Sequence, residues 1–424
     1  MNKKKILLSA GFNKSHLISV AGVLNQSKTY NVYLICSLYP KLFFRKLFRI
    51  LAPYNKGIHR FLDRRENLQE NKVYSIPISE IISKISSIFI SKEKIDFKYK
   101  IESLGINYYA NKSANIVKKL QPSIYHYRSC YGLDSLKYTK SRNIISICDH
   151  TICHPRFLWK QLYSTDYYVD PFNSEKLKKH EAKSMNNIYK LMEYDLENAE
   201  NILVNSDIVK KTCVFYGITP SIIKVIYLGC DDKFLSYSTE FITKRKARKE
   251  ILYAGAWTKR KGIFELVKAL ENLEEDITLN IVGASYKEVE LLTPNIFRNK
   301  IKINIYGYVN RDRLSKIYSA HQIVIIPSLA EGSARVGFEA LACGCFVITT
   351  PYSGTIVKNN INGFLFEAGN TKQLELSIIK AFGISNKEIN KIMYDNYWLI
   401  RKQFTSEKYF EKLHRYYEYL ESNS

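Results

Sequence analysis

No stretch of this chain approaches the roughly 20 consecutive apolar residues that a membrane-crossing helix requires, which argues against a helical membrane protein. The start, Met-Asn-Lys-Lys-Lys, is followed only by Ile6, Leu7 and Leu8 before Ser9 and Gly11. That apolar run is too short for a secretion signal, and a cytoplasmic location is expected. The eight cysteines (Cys36, Cys130, Cys148, Cys153, Cys213, Cys230, Cys343 and Cys345) show neither CxxC nor Cys/His zinc spacing, so buried free thiols are expected. No repeat of roughly 20 to 50 residues is visible. Acid is scarce beside base: 40 Asp and Glu against 64 Lys and Arg leave a net charge of +24. Such a field attracts phosphates, nucleic acid or anionic lipid. A second cause competes with it, because the chain is crowded with Lys, Asn, Ile and Tyr, the residues of A/T-rich codons. With no base-stacking motif or recognised module present, nucleic acid is not an expected partner.

What is present is enough chain for two domains. The 424 residues exceed one ordinary core and fit two units of roughly 200 residues, with a cleft between them. Lys5 to Ala10 is a short apolar run that stops at Gly11, and an apolar-periodic stretch from His16 to Leu24 follows: strand, glycine turn, helix. Further strands are expected at Asn31 to Cys36, Ser123 to Tyr127, Asn143 to Cys148 and Asn201 to Asn205, with a helix at Ser113 to Leu120. A second series starts at Glu250 to Ala254, then Gly255 and a helix from Gly262 to Leu270. Strands at Thr278 to Val282, Ile301 to Tyr306, Gln322 to Ile326 and Phe346 to Thr349 alternate with helices near Arg313 to Ala320 and Val336 to Cys343. Alternating strands and helices imply α/β units with parallel sheets covered on both faces. The expected organisation is therefore two doubly wound, Rossmann-like domains facing a cleft.

The expected boundaries are an N-terminal acceptor domain over 1–228, a linker over 229–248, a C-terminal nucleotide-sugar domain over 249–395 and a helix over 396–424 packing back across the domains. The linker carries the basic run Lys244, Arg245, Lys246, Arg248 and Lys249, which suits an exposed connection.

The segment from Pro327 to Gly344 is the most informative. A strand ends at Pro327, a loop carries Glu331 and Gly332, and a helix runs through Glu339 to a glycine stop at Gly344. Free amides near Ser333 to Val336, with the positive end of the helix dipole, make an anion site suited to a diphosphate. A carboxylate further along the helix can accept ribose hydroxyls, and Glu331 would face the sugar. Taken alone, the two glutamates could equally be a helix-start carboxylate and one solvated charge.

The surrounding residues resemble the retaining glycosyltransferases of family 4, whose two Rossmann-like domains form the arrangement called GT-B. The likeness rests on Pro327, Ser328, Glu331, Glu339 to Ala342 and Gly344, on Val347-Ile-Thr-Thr with Gly354, and on Asn362-Gly-Phe-Leu-Phe366. Upstream, the run Tyr253 to Gly262 is similar to the family's glycine loop with its Lys-Gly ending. Glu197 to Ser206 and Val225 to Gly229, with Asp232 and Phe234, also match. The resemblance implies that Gly255 and Lys261 approach the donor diphosphate, that Lys261 stabilises the leaving nucleotide, that Glu331 contacts the sugar and Glu339 the ribose. One departure stands out: Ala256 occupies the place of a usual arginine, and Lys259, Arg260 or Arg335 is the expected substitute, Arg335 from the first helical turn.

In the N-terminal half the family's glycine loop corresponds to Gly11 to His16, where Gly11 would let the backbone approach diphosphate or acceptor. His16 fits either a site or a helix start. Ile145 to Thr151 resembles the strand end where the family holds a histidine near the sugar, here His150, with Asp149 a possible base for the acceptor. No two aspartates stand at i and i+2, so the metal-chelating pair of the other main glycosyltransferase fold is absent; neither metal nor cofactor is expected.

The implied partners are a nucleotide-sugar donor and a saccharide or lipid-linked acceptor in bacterial surface polysaccharide synthesis. In residues 41–51, Lys41, Arg45 and Arg49 form one stripe and Phe43, Phe44, Leu47, Phe48 and Leu51 another face, a pattern that fits an anionic membrane surface as well as an ordinary domain helix. The location expected from it is the inner face of the cell membrane. The alternatives are a sugar-nucleotide epimerase or phosphorylase on the same fold, and a non-catalytic binding protein with a degenerate donor site.

Overall fold

The computed structural model describes residues 3–12, 15–27, 29–40, 68–89, 95–163, 187–236, 249–273, 276–294, 296 and 301–423. The basic and aromatic stretch 41–51 and the basic run 244–248 lie outside the described residues.

Two parallel sheets organise the chain. The first holds β1 (Lys5–Ser9), β2 (Asn31–Cys36), β3 (Val73–Ser75), β4 (Ile124–Arg128), β5 (Ile145–His150), β6 (Asn201–Val204) and β7 (Ile223–Val225) in the order β3-β2-β1-β4-β5-β6-β7. The second holds β8 (Glu250–Ala254), β9 (Thr278–Val282), β10 (Lys302–Gly307), β11 (Ile323–Ile326), β12 (Phe346–Thr349) and β13 (Gly363–Leu365) in the order β10-β9-β8-β11-β12-β13. Every ladder is parallel, with β1 in register with both β2 and β4 and β8 with both β9 and β11. The strand order reverses between β1 and β4 and again between β8 and β11. Those two switch points open a crevice at the carboxyl ends of the strands.

The strands are apolar on both faces because helices cover both. Along β1, Ile6 and Leu8 enter one buried cluster and Leu7 the other, as the two-residue period of a strand demands. β11, all Ile and Val, is buried throughout. The three-residue strands β3, β7 and β13 were not expected from the sequence, since so short an edge leaves no periodic signal. The helix expected at Ser113 to Leu120 extends back to Ile95.

The chain crosses between the sheets twice, side by side. Cys230 N donates to Phe404 O at 2.7 Å, and Ser406 N donates back to Cys230 O at 3.0 Å. Gly229, with φ +75°, lies so close to Thr405 that a Cβ would overlap its carbonyl. The start of the expected exposed linker is therefore packed: Cys230 and Phe234 are fully buried with the C-terminal core. The helix Asn386–Gln403 stays with the second sheet through Ile389, Met393 and Ile400. After the break at Phe404, Ser406–Ser422 returns to the first sheet and buries Tyr409, Leu413, Tyr417 and Leu420 beside Ile6 and Leu8.

Candidate functional site at the facing strand ends

The loops after β8 and β11 are fastened to each other before any side chain acts. Lys259–Lys261 forms one 3-10 turn ended by Gly262 at φ +70°, and a Cβ there would overlap the Pro327 carbonyl. Only glycine combines that backbone with that approach. Leu329 N then donates to Arg260 O at 2.9 Å, and Arg260 NH1 donates to Ala330 O at 3.1 Å. This crossing brings both cations of the first loop to the carboxylate of the second: Glu331 Oε1 lies 2.7 Å from Lys261 Nζ and 2.5 Å from Arg260 NH1. Gly255, at φ +150°, sits alongside, with its Cβ direction 3.9 Å from Lys261 Cε.

From Glu331 the chain enters the helix Arg335–Ala342, whose N-terminus no side chain caps. Its first amides therefore lack intrahelical partners, although Ala334 N is taken by Ser353 O at 2.8 Å. Glu339, further along the same helix, is buried with its Oε2 3.5 Å from Tyr318 OH. Burial raises its carboxyl above the ordinary range, with Arg335 and then Arg311 pulling the other way.

The substitutes expected for the arginine missing at Ala256 separate. Lys259 Nζ donates to Leu162 O at 2.9 Å and so ties the two domains together. Arg260 converges with Lys261 as described. Arg335 lines a different cavity of about 270 Å³ with Ser15, His16, Arg311 and Tyr409, whose wall includes neither Lys261 nor Glu331. At Ala256 itself the carbonyl accepts Tyr253 OH at 2.7 Å.

Across the crevice the N-terminal residues are more deeply buried. Gly11 has φ +69°, and what fills its Cβ position is the ring of Tyr131; the close approach it permits in this structure is to that ring. Asp149 Oδ2 lies 2.8 Å from His16 Nε2 and 3.1 Å from His126 Nε2, and His126 Nδ1 lies 2.7 Å from Tyr417 OH. Burial alone would raise the Asp149 carboxyl, but the His16 charge and the two histidine hydrogen bonds hold it below the usual carboxylate range. His150, at the end of β5, is fully buried; its Nδ1 meets Ser129 Oγ at 2.9 Å, while Nε2 has no partner. Burial pushes its imidazole down to about 4, so it is neutral at pH 7.

Several of these residues gave no sequence signal. His126 and Ser129 join the wall through the β4–β5 pairing, and Tyr417 arrives from the far end of the chain. Ser206 was findable as the serine between a strand and a helix: it caps Asp207–Phe215 by accepting from Val209 N. Its hydroxyl also donates to Gly332 O in the other domain. Gly332 and Ser333 are expected at the ligand; the structure adds that Gly332 packs so tightly on Thr151 of the other domain that a side chain would overlap its carbonyl. Among the described residues no three His, Cys, Asp or Glu side chains gather as a metal site would require.

These two sheets and their facing strand ends define a two-domain, Rossmann-like GT-B fold, and comparison with known proteins agrees. Residues 238–396 match the family model described as Glycosyl transferases group 1. An uncharacterized glycosyltransferase of Methanocaldococcus jannaschii is 28% identical over 188 residues, 41% of this chain and 48% of the relative. The chain spans about half the length of the curated relatives it matches first. Among solved structures, sucrose-phosphate synthase from Thermosynechococcus elongatus superposes with a TM-score of 0.68 at 15% identity, covering 100% of both chains. HepE of Anabaena, solved in complex with UDP and glucose, gives 0.59 at 14% identity over 98% of this chain and 99% of that one.

Proposed function

We propose that this protein transfers a sugar from a nucleoside-diphosphate sugar to a saccharide or lipid-linked saccharide acceptor, with retention at the anomeric carbon. The observation that carries this reading is the convergence of Lys261 and Arg260 on Glu331 beside an uncapped helix that bears Glu339. Two cations share one carboxylate there, so the cluster keeps a net positive charge, which a diphosphate complements. Glu331, displaced from the cations by the phosphates, then faces the sugar hydroxyls, and Glu339 accepts from the ribose. The match of residues 238–396 to a glycosyltransferase family and the UDP and glucose of HepE support the donor class.

In the reaction the bond between the anomeric carbon and the phosphate oxygen breaks, and its electron pair stays on the leaving phosphate. Lys261, Arg260 and the first helix amides stabilise that growing charge. The acceptor oxygen forms the new bond from the same face, and its proton passes to the phosphate oxygen just released. In this reading no divalent ion is needed for the leaving group. The charge of +24 and the basic, aromatic stretch 41–51 favour an acceptor presented at the inner face of a membrane, for surface polysaccharide synthesis. Absence of binding to anionic vesicles at low salt would remove that part.

A thermal-shift screen of nucleotide sugars identifies the donor, because a bound ligand raises the melting temperature. With that nucleotide, Glu339→Ala is expected to weaken binding about tenfold, by loss of a hydrogen bond to a charged group. Equal affinity of variant and wild type in calorimetry would overturn the ribose assignment. An altered donor in the absence of any acceptor would point to an epimerase on the same fold.

A further inference from the structure

The loop that presents Glu331 is gripped from the opposite domain. Glu331 O accepts from Cys153 Sγ at 2.8 Å, and Gly332 O accepts from Ser206 Oγ. Both donors follow strand ends of the first sheet: Cys153 lies after β5 and Ser206 after β6. The grip is close and buried. Ala330 packs with Cys153, Phe157 and Leu158 in one buried cluster. Gly354, at φ +65°, lies so near the Gly332 carbonyl that a Cβ would overlap it, with Ser206 Oγ 3.0 Å away. The thiol of Cys153 is raised above its ordinary range, first by burial, and so keeps the proton that it donates.

A planar trans peptide points its C=O and its N–H in opposite directions. Holding the Glu331 carbonyl toward Cys153 therefore turns the Gly332 amide away from the N-terminal domain, and holding the Gly332 carbonyl toward Ser206 does the same for the Ser333 amide. Among the described residues neither amide has an acceptor. Successive amides turned to one side make an anion-binding concavity, and this one follows directly on the carboxylate shared by Lys261 and Arg260.

We propose that Ser206 and Cys153 are positioning residues that complete the donor site from the opposite domain: by gripping two successive carbonyls they aim the Gly332 and Ser333 amides at the donor diphosphate. The inference rests on the donor-site reading above and assigns the N-terminal domain a part in donor binding. Domain contact at this loop then assembles the phosphate site, and separation of the domains releases the two amides to turn.

The test uses the full chain, the nucleoside diphosphate that most stabilises the wild type, and the matching nucleoside. Ser206→Ala and Cys153→Ala are expected to weaken the diphosphate about tenfold while leaving the nucleoside unchanged, and to lower kcat by at least as much. Ser206→Thr and Cys153→Ser, which keep a donor in place, are expected to recover most of both losses. Because Ser206 also caps a helix, its alanine variant can lose stability; Cys153 caps none, and its pair of variants decides the matter alone. Diphosphate affinity and kcat at wild-type values in Cys153→Ala would overturn the proposal, as would equal weakening of nucleoside and diphosphate, the mark of a merely structural role. A wild type that binds no nucleotide at all would instead remove the donor-site reading beneath it.

Discussion

The two walls of the crevice hold their polar groups in opposite ways. On the C-terminal wall, Arg260, Lys261, Glu331 and Glu339 come from two contiguous strand-loop-helix segments, and the first three form a partly exposed ion cluster. On the N-terminal wall, His16, His126, Asp149, His150, Ser129 and Tyr417 come from four stretches far apart in sequence, the helix after β1, β4, β5 and the last helix, and bond mainly to one another in the interior. The cations of this cluster can exchange partners when a charged ligand arrives, because both are partly exposed while the Glu331 carboxylate they share is buried. The buried pairs Asp149–His126 and His126–Tyr417 cannot, since each of those groups is committed and costly to free. The contrast makes one wall a place for ligand charge and the other a fixed frame.

The sharpest way to break that contrast is Lys261→Met. It keeps the unbranched apolar stem, one atom shorter, and removes the charge, with Arg260 still present to pair Glu331. If the C-terminal wall stabilises the leaving phosphate, turnover is expected to fall about 10²–10³-fold, while the melting temperature stays near that of the wild type because Arg260 still neutralises the Glu331 carboxylate. Nucleotide release with the identified donor measures it. Unchanged turnover with a large loss of stability would reverse the roles of the two walls.

The next largest effect is expected on the other wall, and on stability. Asp149→Asn keeps the shape but removes the charge that two histidines share. The cost is about 3 kcal/mol, the scale of a buried hydrogen bond to a charged group, read as a shift in the denaturant midpoint. His16, at one end of this network, lines the cavity that Arg335 also lines, so nucleotide affinity measured on the same variant shows whether the frame reaches the ligand. A loss of stability below about 0.5 kcal/mol would show that the network is looser than its distances imply.

How much of this was legible follows the same division. The motif Glu331 to Gly344 and the Lys-Gly ending at Gly262 were readable because each site residue lies within one strand-loop-helix unit, where local pattern fixes position. What the motifs could not show was why the glycines are there. Gly262 serves Pro327, Gly332 serves Thr151 and Gly11 serves Tyr131, all contacts between segments distant in sequence. The Asp149 network was half-read: Asp149 and His16 were each singled out but not their pairing, and His126 with Tyr417 behind it joins only through sheet order and the returning helix. The short edge strands and the packing of Phe234 escaped for the same reason, being made by tertiary contact with no period of their own, whereas Cys230 is the buried free thiol expected of it.

The smallest expected effect concerns His150, and it tests whether the N-terminal wall is as closed as it is drawn. In the folded protein its imidazole is pushed down to about 4 by burial, while in the unfolded chain it titrates near 6.5. Above pH 6.5 both states leave it neutral. As the pH falls from 6.5 toward 4, the unfolded chain takes a proton that the folded one refuses, so the stability present above 6.5 is progressively lost, by about 2 kcal/mol at pH 4.5. His154, also pushed down by burial, acts in the same direction, and Asp195, raised to about 6 by burial, acts in the opposite one. The clean measurement is therefore a difference between two proteins. Between pH 7 and pH 4.5, wild type is expected to lose about 2 kcal/mol more than His150→Gln, whose amide can still meet Ser129. Equal slopes would mean that His150 takes its proton within the folded state. The N-terminal wall would then admit water at its strand ends, and the distinction between an exchanging wall and a fixed one would fail at the end of β5.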